Sequence, residues 1–221
     1  MSRITRQAYI EDLAELQQRV ILMGTAAADA VKKSMEALLG EDKALAERVM
    51  KNDDVLDDMI VDIEDRCILL IAKQQPIAHD LRVIATGFKI STDLERIGDH
   101  AFDIAKTARN IEGSVIKGIA DTPKLAECAV DMVEMAVEAY RTADIRLAEQ
   151  VCTADDQMDA LFGQTFQELS QLMGRETMLT KQATQLIFVA RFLERIGDHA
   201  TNIAEWVIYL ETAERMRKIK K

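Results

Sequence analysis

Residues 94–101 read LERIGDHA, and residues 193–200 read LERIGDHA again, 99 positions further along a chain of 221. An identical octapeptide in so mixed a sequence marks an internal duplication, so whatever one copy does locally the other is built to repeat. Each copy holds an acidic pair, Glu95 with Asp99 and Glu194 with Asp198. On a helix that spacing sets both carboxylates on one face, about 5–6 Å apart at Cβ.

Outward from these stretches everything reads as helix. Two prolines and nine glycines among 221 residues leave few breaks, and the abundant Ala, Leu, Met, Glu, Lys and Arg are strong helix formers. A stripe through Leu16, Val20, Ala27, Val31 and Leu38, opened by Ile10 and Leu13, predicts a first helix that ends at Gly40. Gly40 stands where a helix-terminating glycine belongs. Asp42 then reads as the N-cap of a second helix, with Leu45, Val49, Asn52, Leu56, Ile63, Cys67 and Leu70 inward, reaching about Lys73. Pro76 opens a third helix that runs through Leu81, Ile84, Leu94, Ile97, Ala101 and Ala108 and stops before Gly113.

Residues 113–121 read as the connection between repeats, and the second half replays the first. Thr122 and Pro123 begin a fourth helix. Asp144 caps a fifth, 102 positions after Asp42. Gly174 marks the turn into a sixth, from about Glu176 to the basic tail at residues 215–221, which reads as a helix end. The fall in offset from 102 to 99 places a three-residue deletion in the second hairpin, where loops tolerate it. Three helices joined by short turns bury their stripes by lying antiparallel. The expected fold is therefore all-α: two tandem three-helix bundles related by internal duplication, one over residues 1–112 and one over 113–221.

Charge and composition exclude several functions. With 38 acidic against 28 basic residues the net charge is −10, the wrong sign for nucleic acid. The first residues lack the apolar run of a signal peptide, and no stretch approaches the roughly 18 apolar residues of a membrane span. A cytoplasmic protein without membrane insertion is expected. Cys67, Cys128 and Cys152 form no CxxC, which argues against a disulfide framework or a thiolate zinc site and predicts idle thiols.

The second helix of each repeat has its own acidic pair, Asp53 with Asp57 and Asp155 with Asp159. In an antiparallel hairpin, residues equidistant from the turn lie at one height. Positions 57 and 95 share the midpoint 76 with positions 53 and 99, and 159 with 194 shares its midpoint with 155 and 198. Four carboxylates thus come level in each repeat, each one residue past an inward position. Gly98 and Gly197 cost a helix interior ~1 kcal/mol relative to alanine and so predict a close approach beside the acids. Asp103 prolongs the first row by a turn, whereas its counterpart is Asn202, so the first site is the more acidic. Crowded carboxylates raise one another's pKa or recruit a cation. Oxygen-only donors suit hard ions such as Mg²⁺, Ca²⁺, Mn²⁺ or iron. His100 and His199, one residue past the aspartates, point away from direct ligation and toward a supporting or solvent-facing role.

The run QQPIAHDLR at residues 74–82 leading into KISTDLERIGDHA at 89–101, with ERIGDH again at 194–199, resembles the PhoU family of phosphate-signalling regulators, and the resemblance spans essentially the whole chain. It implies a pseudo-twofold axis between the bundles, a cytoplasmic homodimer, and multinuclear metal sites, iron or zinc in some members. Carried onto this sequence, the implied ligands are Asp53, Asp57, Glu95 and Asp99, then Asp155, Asp159, Glu194 and Asp198. The implied function is negative regulation of the phosphate-starvation (Pho) response, linking the Pst phosphate ABC transporter, through its ATPase, to the PhoR sensor histidine kinase and restraining uptake. Asn202 opposite Asp103 departs from strict repetition.

Two other readings are open on the residues alone. A ferritin-like carboxylate-bridged di-metal oxidase would need Glu-x-x-His, but the residues three before His79, His100 and His199 are Pro76, Ile97 and Ile196. No nucleophile and base constellation stands out either, and an enzyme is not expected. A metal-free helical scaffold would use the acidic rows to dock basic partner surfaces.

Overall fold

The computed structural model describes residues 3–111 and 121–215, and every regular element among them is helical. In chain order these are α1 (Arg3–Gly40), α2 (Lys43–Lys51), α3 (Asp53–Gln74), α4 (Ala78–Asn110), α5 (Thr122–Thr142), α6 (Ile145–Arg175) and α7 (Thr180–Thr212), with a single 3₁₀ turn at Thr177–Leu179 before α7. Helix α1 packs along α4 with α2 and α3 against both, and α5, α6 and α7 form the second bundle. The bundles meet where α4 lies on α7 and α1 on α5. This is the expected pair of duplicated three-helix bundles.

The stripes fill the cores. Leu16, Leu38, Ile63, Ile84, Leu94, Ile97 and Ile104 are fully buried in the first bundle, and Leu125, Met132, Met158, Leu193 and Ile196 in the second. Each such side chain contributes about 1.5–3 kcal/mol on leaving water. The matched turns also repeat. Glu41 and Ala143 both take the left-handed conformation, with φ 57° and 54°. The next residue in each case is the capping aspartate. Asp42 accepts from the Leu45 N–H at 2.8 Å, and Asp144 from the Arg146 and Leu147 N–H groups at 2.9 and 3.1 Å.

Several local expectations need correction. The second helix is not continuous: it breaks at Asn52, whose N–H bonds to the carbonyls of Arg48 and Val49 and which is exposed rather than inward. The break gives α3 a fresh N-terminus, and Asp53 and Asp54 fall in its first turn, where the helix dipole favours negative charge. Gly40 is still helical, and the left-handed terminating residue is Glu41. Pro76 lies in the connection before α4, since Gln75 ends α3 in the left-handed region. Ile10 and Leu81, assigned to stripes, are 51% and 43% exposed because both lie near helix ends beyond the packed core. The expected repeat boundary at 112/113, nearly all of the connection at 113–121, and the tail beyond Arg215 fall outside the described residues. Among the described residues no helix is long and apolar enough to cross a membrane. Cys67, Cys128 and Cys152 are free thiols.

Candidate functional site

The first acidic row is built where α3 crosses α4 at Gly98. A Cβ on Gly98 would stand 2.5 Å from Leu56 Cδ1, so the missing side chain is what lets Leu56 press against α4, with Asp53 Oδ1 beside it at an ordinary contact distance of 3.7 Å from that point. Burial and the charges of Asp57, Asp99, Asp54 and Glu95 push Asp53 up to about 6. Glu95 is raised by burial and by Asp99 and Asp57, against the lowering effect of Arg96 and of His199 from the other repeat. Asp53, Asp57, Glu95 and Asp99 thus share one electrostatic field, as the hairpin register requires. Asp103 is raised chiefly by its own burial, with Asp99 adding and Lys106 opposing.

The second row follows the same plan with different neighbours. Glu194 is buried and raised by that burial and by Asp198 and Asp159, while Arg191 and Arg195 oppose. Asp155 accepts from the Thr201 hydroxyl at 3.3 Å, which ties α6 to α7 at this level. At Gly197 an added Cβ would meet Met158 Cγ at 3.0 Å. Met158 is the repeat counterpart of Leu56.

Arginines already offset part of this charge. Arg96 reaches Asp99 Oδ2 at 2.9 Å and Glu95 Oε2 at 3.4 Å, and Arg191 reaches Glu194 Oε1 at 2.6 Å. The other Glu194 oxygen, Oε2, is buried without a hydrogen-bond partner. Among the described residues no group of three or more His, Cys, Asp or Glu side chains is gathered closely enough to hold a metal ion. The donor chemistry of the rows is nevertheless the kind a hard cation takes: the side-chain donors are all oxygen, Asp53 is raised by burial and by like charges, and Glu194 Oε2 is an orphaned acceptor. A cleft of about 180 Å³ beside Asp53, lined also by Asp29, Lys33, Asn52 and Gly98, opens at the break between α2 and α3.

The histidines sit between the repeats, where the symmetry fails. His199 Nδ1 lies 2.9 Å from Asp93 Oδ1, and Asn202 Nδ2 donates to the same oxygen at 3.1 Å. The repeat counterpart of Asp93 is Phe192, and His100 stacks on that ring with centroids 5.8 Å apart. The two imidazoles face each other at 5.8 Å. Burial first, then His199 and Arg195, push His100 down to about 4, and its Nδ1 is buried without a partner. The Asp93 link was not anticipated from sequence; its signal is that position 93 is acidic where its counterpart is aromatic. Asn202, the neutral counterpart of Asp103, also serves as a donor to Asp93 across the interface.

Comparison with known proteins gives a consistent result. The PhoU domain family model matches residues 20–108 and again 122–207. The phosphate-specific transport system accessory protein PhoU homolog of Clostridium acetobutylicum is 40% identical over 218 residues, 96% of this chain and 98% of that one. The homolog of the same description from Aquifex aeolicus is 40% identical over 205 residues, covering 92% and 93%. In three dimensions the crystal structure of PhoU from Pseudomonas aeruginosa superposes with a TM-score of 0.90 at 33% identity, covering 93% of this chain and all of that one. The phosphate transport system regulatory protein PhoU from Streptococcus pneumoniae gives 0.88 at 27% identity, over 95% and 99%.

Proposed function

The chain belongs to the PhoU family, and on that premise we propose that it is a cytoplasmic accessory protein of phosphate-specific transport that negatively regulates the phosphate-starvation response. It couples the ATPase of the Pst transporter to a PhoR-type sensor kinase when phosphate is plentiful, restrains uptake, and acts as a homodimer without enzymatic activity of its own. The observation that carries this reading is the duplicated acid-lined bundle matched end to end by phosphate-transport accessory proteins. Deleting the gene should leave phosphate-starvation genes expressed in high phosphate, and copurification should recover transporter ATPase and sensor kinase. Normal repression in the deletion strain would overturn the proposal.

The acidic rows are the proposed cation sites, Asp53, Asp57, Glu95, Asp99 and Asp103 in one repeat and Asp155, Asp159, Glu194 and Asp198 in the other, for iron, zinc, manganese or magnesium. A bound cation would supply the positive charge that offsets carboxylate repulsion between neighbouring helices. The carboxylates hold and orient it, and Arg96 and Arg191 must swing away to admit it. A metal-free scaffold is favoured in turn by the pairing of those arginines with Asp99 and Glu194. Metal analysis of protein purified without chelators separates the two: Glu95→Ala with Asp99→Ala should lower the content, and metal-free wild-type protein would leave the scaffold.

A further inference from the structure

We propose that the outer face of α3 is a docking site for a basic amphipathic helix of a partner protein. Helix α3 turns Leu56, Ile63, Cys67 and Leu70 into the core. At 3.6 residues per turn the opposite side carries Val61, Asp65, Ile68 and Leu69, with Asp58 and Asp54 about one and two turns before. Val61 and Ile68 are each 58% exposed and Leu69 50%. Exposed apolar residues scattered singly are ordinary, but three on one face of one helix form a patch.

The duplication supplies an internal control. The counterparts of Val61, Asp65, Ile68 and Leu69 on α6 are Gly163, Gln167, Ser170 and Gln171, all exposed. The same position in the same bundle plan is therefore served by a glycine and three neutral polar residues, and folding does not require the apolar and acidic set on α3.

Charge selects the occupant. Asp54, Asp58 and Asp65 interleave the apolar residues, are exposed, and make none of the ion pairs among the described residues. The nearest arginines are committed elsewhere: Arg66 holds Glu15 at 3.1 Å and Asp62 at 3.0 Å, and Arg19 holds Asp62 at 2.8 Å and Glu15 at 3.0 Å. A second copy docking through this face would set the aspartate row against itself, and an anionic lipid surface would meet the same repulsion. A helix with an apolar stripe flanked by Lys or Arg complements both features, the apolar stripe giving affinity and the charge giving register. Asp54 and Asp58 adjoin the first acidic row, but Val61, Asp65, Ile68 and Leu69 lie beyond it along α3, and the proposal does not depend on the row binding metal.

The test uses the full chain and a fluorescent 18-residue Leu/Lys amphipathic helix, with binding read by anisotropy. Ile68→Ser with Leu69→Gln, the residues α6 already uses, should weaken binding at least tenfold with no change of charge, whereas Gln167→Ala with Gln171→Ala on α6 should not. A charge-swapped chain, Asp58→Lys with Asp65→Lys, should reject the Leu/Lys helix and take an otherwise identical Leu/Glu helix, which locates the site even if the apolar variant melts early. Unchanged binding in the Ser/Gln variant together with no swap of preference would overturn the proposal. So would loss of a wild-type dimer in that variant, which makes the face a self-interface, or binding to phosphatidylglycerol vesicles that the variant abolishes.

Discussion

Alanine at Gly98 and alanine at Gly197 are the same substitution in the same octapeptide, yet the structure separates their effects. In a helix interior the change by itself gains ~1 kcal/mol. At position 98 the new Cβ would stand 2.5 Å from Leu56 Cδ1, a side chain only 4% exposed and already packed. Forcing a methyl into such a core costs about 1–3 kcal/mol, so Gly98→Ala should lose roughly 1 kcal/mol net. At position 197 the nearest atoms are Met158 Cγ at 3.0 Å and Cε at 3.3 Å. Met158 is as buried as Leu56, but the overlap is relieved by a few tenths of an ångström, which an unbranched side chain gives by a small rotation, so Gly197→Ala should be neutral or gain up to ~1 kcal/mol. In a chain of this size each kcal/mol moves Tm by about 2–4 °C. Thermal melts in the presence of chelator should therefore place Gly98→Ala a few degrees below Gly197→Ala. Equal shifts in one direction would refute the argument that Leu56 and Met158 set the difference.

Asp53, held at about 6 against an ordinary 3.8, contributes stability that is present below about pH 4 and is lost as pH rises through 6. Asp53→Asn should remove that slope in urea melts run with chelator and stabilise the protein at pH 7 by ~1 kcal/mol, the shift being discounted because solvent screens this carboxylate. His100 works in the opposite sense: lowered to about 4 from 6.5, it contributes stability that is full above pH 6.5 and lost as pH falls toward 4. His100→Phe should flatten that part of the profile, and a wild-type slope kept by the variant would show that another group titrates. Asp42→Ala and Asp144→Ala each remove a cap bonded at 2.8–3.1 Å and should each cost about 1 kcal/mol in denaturant midpoints. A loss at only one would mean that the matched turns differ in energy despite their shared geometry.

Much of the fold was legible because its determinants are local. The stripes through Leu16, Ile63, Leu94 and Leu193, the capping aspartates Asp42 and Asp144, and the repeated octapeptide each act within a few turns of chain. The hairpin register that sets Asp53 level with Asp99 needed only counting from the turn, because antiparallel helices of equal rise cannot place those residues anywhere else. The break at Asn52 was not legible. An asparagine inside an apolar stripe is compatible with a continuous helix, and nothing nearby in sequence says that the helix must be interrupted at Asn52.

What the sequence determined alone is an all-helical duplicated chain with two acidic rows. Tertiary structure decided how the copies differ. Leu56 and Met158 give two identical glycines unequal neighbours. Asp93 meets His199 while its counterpart Phe192 covers His100. A helix dictates its own face through spacing, but what presses on that face comes from residues about forty to a hundred positions away, and only packing brings them together.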